Sequence, residues 1–88
     1  MSYQVKIEPP AEKRLAKLDR TMRERVIRRF RELAADPFDS RVSKPLKTAL
    51  RLRSSRLGGW RIIYAADTAG RTVHILSINP RGEAYRWL

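Results

Sequence analysis

The chain has no cysteine. Disulfides, thiolate metal sites and a thiol nucleophile are therefore excluded, and the fold must rest on apolar burial. Histidine is nearly absent: His74 is the only one, so the paired imidazoles of many ribonucleases cannot be assembled. His74 lies within the apolar run "VHILSI" and reads as a structural or solvent-facing strand residue. Carboxylates are scarce, nine Asp and Glu in all. Asp36 and Asp39 fall in a loop and Asp67 in a turn, with no His or carboxylate partner at ligand spacing. No metal and no small-molecule cofactor is expected. Ser54 and Ser55 have no base nearby in sequence. Long hydrophobic runs are missing too. "RIIYAAD" is far too short to span a bilayer, and "MSYQVKIEPP" lacks the apolar core of a secretory signal. We expect a soluble, cytoplasmic protein with no membrane partner. Its 88 residues leave room for one core, so residues 1–88 read as a single domain.

What the chain has in excess is positive charge. Twenty Lys and Arg give a formal net charge of +11 and a pI near 11.3. Such an excess repels itself in a compact state, and a polyanionic partner, nucleic acid first, is the natural reason to keep it. No Asp or Glu occurs between Asp39 and Asp67, a stretch that carries Lys44, Lys47, Arg51, Arg53, Arg56 and Arg61. One face of whatever this stretch forms should be strongly positive, the candidate surface for a nucleic-acid contact.

The patterning predicts an α+β fold. "YQVKI" alternates Tyr3, Val5 and Ile7 with polar residues, the period of a half-buried strand. Pro10 suits a first helical turn, and Ala11, Leu15 and Leu18 form a short amphipathic stripe ending near Asp19. "TMRE" at 21–24 has the form of a capping box, with Thr21 bonding the Glu24 N–H. Val26, Ile27, Phe30, Leu33 and Ala34 continue one stripe until Asp36 and Pro37 end it. Arg23, Arg25, Arg28, Arg29 and Arg31 read first as a solvated outer face, with a protein or nucleic-acid contact as the alternative. "PFDSRVSKPLKTA" has the composition of an irregular connection. Then "LRLRSSRL", "WRIIYAAD" and "TVHILSIN" form a meander, with Gly58-Gly59 and residues 67–70 as its turns. The order β-α-α-β-β-β places a helical hairpin on one face of a small, twisted, mostly antiparallel sheet. The other face is left open, with arginines on it.

With imidazole, thiol and metal gone, arginine and tyrosine remain. Cleaving RNA through its own 2′-OH needs a proton acceptor near that hydroxyl, cations around the phosphorane and a donor for the departing 5′-oxygen. Guanidinium groups meet the second need, since their fork pairs with two phosphoryl oxygens and is always charged. A tyrosine is a poor base at its free pKa of ~10, but surrounding arginines favour its phenolate and its ring can stack on a base.

These residues carry a resemblance. "KPLK", "RLGGWRIIYAAD", "VHILSINPRGEAY" and the helical hairpin before them are similar to the RelE family within the RelE/ParE toxin superfamily. The likeness covers nearly the whole chain. Its most specific piece is an Arg-x-Gly-x-aromatic-Arg-aliphatic-aliphatic-Tyr core from Arg56 to Tyr64, followed after one strand by Arg81 and Tyr85. The resemblance implies a RelE-like fold and a toxin that cuts the mRNA codon in the ribosomal A site without a metal. It implies a cognate antitoxin, the ribosome and mRNA as partners. Arg61 would brace the scissile phosphate, Arg81 would stabilise charge on the leaving oxygen or protonate it, and Tyr85 would stack on or deprotonate the substrate. Lysines that relatives carry on the second strand correspond, counted without a gap from Arg61, to Leu52 and Ser54; a one-residue slip would bring Arg51 and Arg53 there instead. The turn before the terminal arginine, often Gly-His in relatives, is Asn79-Pro80. Tyr64 reads as a core residue. Two other functions fit the same features: a ParE-like inhibitor of DNA gyrase that cuts nothing, and a non-catalytic nucleic-acid-binding module.

Overall fold

The computed structural model describes residues 2–46 and 51–80; the readings made for Lys47, Arg81 and Tyr85 lie outside them. Along the chain run β1 (Gln4–Ile7), α1 (Pro9–Lys17), α2 (Arg20–Ala35), β2 (Lys44–Pro45), β3 (Leu52–Leu57), β4 (Trp60–Asp67) and β5 (Thr72–Pro80). The strands form one sheet in the order β1-β5-β4-β3-β2. β1 lies parallel to β5, and the other pairings are antiparallel. This is the expected α+β arrangement of two helices on a mostly antiparallel sheet. None of the described helices is long and apolar enough to cross a membrane.

Local chemistry explains each helix end. α1 opens on Pro9 and Pro10, whose missing N–H groups fall where a helix has no acceptor for them. Its last carbonyls are closed from outside: Arg23 donates from Nε to Leu15 O (3.2 Å) and from Nη2 to Ala16 O (3.2 Å) and Leu18 O (2.8 Å). A cation at a helix C-terminus also opposes the partial negative charge there. α2 starts one residue before the predicted cap. Asp19, not Thr21, is its N-cap, accepting the Met22 N–H at 2.8 Å, and Glu24 instead meets Arg20 at 3.3 Å. An ionised carboxylate at a helix start outcompetes a hydroxyl two residues on, because it satisfies the same orphan donors and adds charge.

The core lies between the helices and one sheet face. Leu18, Val26, Phe30 and Leu33 pack there against Leu57, Ile62, Tyr64, Val73, Ile75 and Ile78. Tyr64 is fully buried, as expected, and donates its hydroxyl to the Pro37 carbonyl. The 73, 75, 78 spacing is no simple alternation. It is reconciled by a register shift at Ile63/Tyr64, where Ile63 opposes Ser77 but Tyr64 opposes Ile75, so that one extra residue, Leu76, re-phases β5.

Two further features depart from expectation. The segment read as irregular contains β2, which pairs Lys44 with Ser54 and Pro45 with Arg53; a proline is tolerated there because the strand is at the sheet edge. The face opposite the helices is also not open at its centre. Ile63 is fully buried there, and Ser54 and Ser77 are 2% and 8% exposed.

Candidate nucleic-acid interface

The hairpin between β3 and β4 sets the site. Gly58, with φ +60°, is the first of two loop residues, and positive φ at this position lets the chain reverse tightly. A two-residue loop makes Leu57 oppose Trp60 and Arg56 oppose Arg61. On the next strand Arg61 opposes Asn79. Residues directly opposite share a sheet face, so Arg56, Arg61 and Asn79 form one row on the face away from the helices. Arg61 is 9% exposed and Arg56 is exposed. Asn79 donates from Nδ2 to Ser77 Oγ at 2.8 Å. Asn79 and Pro80 end β5 and are not a turn.

The register also shows what fills the positions before Arg56. Ser54 opposes Ile63 and Leu52 opposes Ala65 without a slip, so Ser54 and Leu52 share the face of Arg61. Arg53 opposes Tyr64 and belongs to the other face. There it donates to Ser43 Oγ from Nε (3.1 Å) and Nη2 (2.9 Å) and stacks over Phe38 at 5.3 Å. Arg51 precedes β3, exposed and with φ +70°. The structure thus brings Arg56 and Arg61 together, with Lys44 opposite Ser54 on the same face, and does not bring Arg53 to them.

Beside this row, a cleft of about 250 Å³ runs between α2 and the 40–44 segment, lined by Arg29, Ser40, Arg41, Lys44, Ser54 and Arg56 among others. Arg29 is not the solvated arginine expected from the sequence. Its side chain is 16% exposed. Nη1 donates to Ser55 Oγ (2.7 Å) and Arg56 O (2.9 Å), and Nε donates to Glu32 at 3.0 Å. Arg29, Arg23 and Asn79 are the residues sequence reasoning missed. For the two arginines a signal existed: Arg29 is three residues after Val26 and four before Leu33, and Arg23 is three before Val26, all beside the buried stripe.

At the cleft mouth Arg41 grips Asp39 through Nε and Nη2, the latter at 2.8 Å. The Arg41 side chain, and with it the Arg41 backbone N–H, holds the Asp39 carboxyl down from 3.8 to about 2. His74 turns its Nδ1 to Glu8 Oε2 at 3.4 Å, which ties β5 to the start of α1. Among the described residues, no group of three or more His, Cys, Asp or Glu gathers where it could hold a metal ion.

A family model described as ParE toxin of type II toxin-antitoxin system, parDE, matches residues 5–85. No curated protein matches. Among solved structures, the chain is similar to the RelBE2 toxin-antitoxin complex of Mycobacterium tuberculosis, with 32% identity over 92% of this chain and 100% of that one and a TM-score of 0.80. It resembles the archaeal RelE-RelB complex of Pyrococcus horikoshii OT3 at 28% identity, covering 96% of this chain and 100% of that one, again with a TM-score of 0.80. The isolated E. coli RelE toxin shares the fold, with a TM-score of 0.80 at 19% identity over 98% of this chain and 92% of that one. The chain belongs to the RelE/ParE superfamily and is a toxin of a type II toxin-antitoxin system.

Proposed function

We propose that this toxin is a metal-independent, ribosome-dependent endonuclease that cuts mRNA in the ribosomal A site and so stops translation. The observation that carries the reading is the pair of arginines directly opposite each other, Arg56 and Arg61, on the face away from the helices. Two guanidinium groups so placed turn toward one face of the sheet, where phosphoryl oxygens can pair with both. In the proposed reaction the 2′-oxygen attacks the adjacent phosphorus, the bond to the 5′-oxygen breaks, and the products end in a 2′,3′-cyclic phosphate and a 5′-hydroxyl. Arg61 and Arg56 brace the phosphoryl oxygens as charge builds on them. Neither Leu52 nor Ser54, which share the face of Arg61, accepts a proton near neutral pH, so the reading gives the 2′-OH proton to Tyr85. Arg81 stabilises the departing oxygen or supplies its proton. Lys44, Lys47, Arg51 and Arg53 would add to RNA attraction, Arg53 least, since it is already committed to Ser43 and Phe38.

A cognate antitoxin is the expected protein partner, because the M. tuberculosis and P. horikoshii relatives are toxin-antitoxin complexes. Primer extension on message carried by translating ribosomes tests the proposal. The wild type should leave breaks in the A-site codon. Arg61→Ala or Arg81→Ala should slow them by roughly 10²-fold or more while the far-UV spectrum stays native. A message left whole by the wild type refutes the reading. One observation favours a second: the matching family model is described as ParE toxin. A ParE-like gyrase inhibitor would instead give DNA breaks and filamentous cells with intact mRNA, and Arg81 and Tyr85 would be dispensable.

A further inference from the structure

Resting on the RNA-cleaving reading, we propose that the cleft beside Arg56 is a second phosphate site, which holds the substrate strand at a phosphodiester close to the one being cut. Its lining is cationic: Arg29, Arg41, Lys44 and Arg56, with the serines 40, 43 and 54 between them. Two carboxylates oppose these four cations, Glu32 on Arg29 and Asp39 on Arg41, which leaves a net charge of +2. The floor is built rather than incidental. Three acceptors fix the Arg29 guanidinium, two through Nη1 and one through Nε. The two N–H groups of Nη2 have no partner among the described residues, and a pre-oriented guanidinium edge suits a phosphoryl oxygen. Ser54, 2% exposed, adds a hydroxyl.

The cleft is continuous with the cutting face. Lys44 on β2 opposes Ser54 on β3, and Arg56 on β3 opposes Arg61 on β4. Lys44 lies two strands across and two residues along from Arg61, which at about 4.8 Å per strand and about 3.4 Å per residue is roughly 12 Å, a distance that two successive internucleotide steps bridge. A strand lying across β4, β3 and β2 would put one phosphate at Arg61 and another at Lys44, with Arg56 between. Arg41 is 86% exposed and its charge is offset by Asp39. Releasing it should strengthen the second site.

The test uses the full-length toxin and RNA oligonucleotides made uncleavable by 2′-deoxy substitution at the scissile position, three and seven nucleotides long. Affinity is measured by fluorescence anisotropy over a range of salt. The seven-mer should bind more tightly than the three-mer, with a salt slope steeper by about 0.7 for each added phosphate contact. Arg41→Ala and Lys44→Ala should each shrink that difference, and Asp39→Asn should widen it severalfold by freeing Arg41. Arg61→Ala should weaken both oligonucleotides. A difference that none of the three cleft variants changes overturns the second site while ribosome-dependent cleavage still stands. If Arg41→Ala and Lys44→Ala weaken the antitoxin complex but not the seven-mer, the cleft is a protein contact and the proposal is wrong. A toxin that binds neither RNA and cuts no message removes both readings together.

Discussion

Replacing Arg29 by alanine should cost far more stability than replacing Arg28, although the two are neighbours of one type on one helix. Arg28 is exposed, and its loss should stay within about 0.5 kcal/mol. Arg29 joins α2 to β3 through Ser55 Oγ and Arg56 O. Two of its three acceptors recover water when it goes, since Glu32 is half exposed and Arg56 lies at the surface. Ser55 does not, because it is fully buried. Its stranded hydroxyl costs about 1–3 kcal/mol, and the lost packing of a largely buried stem adds to that. We expect about 2–3 kcal/mol, which for a domain of this size lowers Tm by roughly 10–20 °C. Urea and thermal melts followed by circular dichroism measure it. Ser55→Ala removes the stranded group, so the double variant should lose less than the two single variants together, by about 1 kcal/mol. An Arg29→Ala protein no less stable than Arg28→Ala would show that the tie between helix and sheet carries no weight.

Three further outcomes are checked with the same melts. Tyr64→Phe removes a buried donor to the Pro37 carbonyl, which Ser43 Oγ also bonds at 3.2 Å; a loss of about 1–1.5 kcal/mol is expected, smaller than if that carbonyl were left bare. The Asp39 carboxyl is lowered from 3.8 to about 2 by Arg41, so its contribution to stability is complete above pH ~3.8 and disappears as pH falls through about 2; the acid limb of an Asp39→Asn protein should lack that component, and a carbon-detected titration showing Asp39 at its ordinary value would contradict this. Gly58→Ala should destabilise by about 1 kcal/mol because its φ of +60° is strained for any L side chain, whereas Gly59→Ala, whose added methyl meets nothing within 4 Å, should be nearly neutral.

The legible parts of the fold are those where a local pattern and its tertiary use coincide. The meander was readable because Gly58-Gly59 and residues 67–70 interrupt three runs of strand formers, and the two-residue turn by itself dictates that Arg56 faces Arg61. The pairing of Arg56 with Arg61 could therefore be found without coordinates. β2 could not, since a strand of two residues containing Pro45 has no period to detect. The side of Arg53 was ambiguous until the β3–β4 register was known, because a shift of one residue exchanges the two faces. Residue type alone marks Arg29 and Arg23 as solvated, although their spacing from Val26 puts both at the border of the buried stripe. Long guanidinium side chains serve such borders well, burying the stem while the head bonds carbonyls or hydroxyls. The burial of Ile63 on the face opposite the helices had no local signature, because burial on a second face depends on what the rest of the chain lays over it.

The opposed arginines also set stability against function, and the conflict can be measured at Arg56. Its side chain is exposed, and only its backbone carbonyl serves the Arg29 tie, so exchanging the side chain leaves that bond in place. Threonine suits a strand and removes the like charge opposite Arg61. Arg56→Thr should therefore raise stability by about 0.2–1 kcal/mol. If repulsion is the cause, the gain must shrink with salt, since the screening length falls from about 30 Å at 0.01 M to about 3 Å at 1 M. Under the proposed function the same variant should cut ribosome-bound message more slowly, having lost one brace on the phosphate. A salt-independent gain would trace the effect to strand propensity alone. A loss of stability would mean that the two guanidinium groups do not repel in the folded toxin.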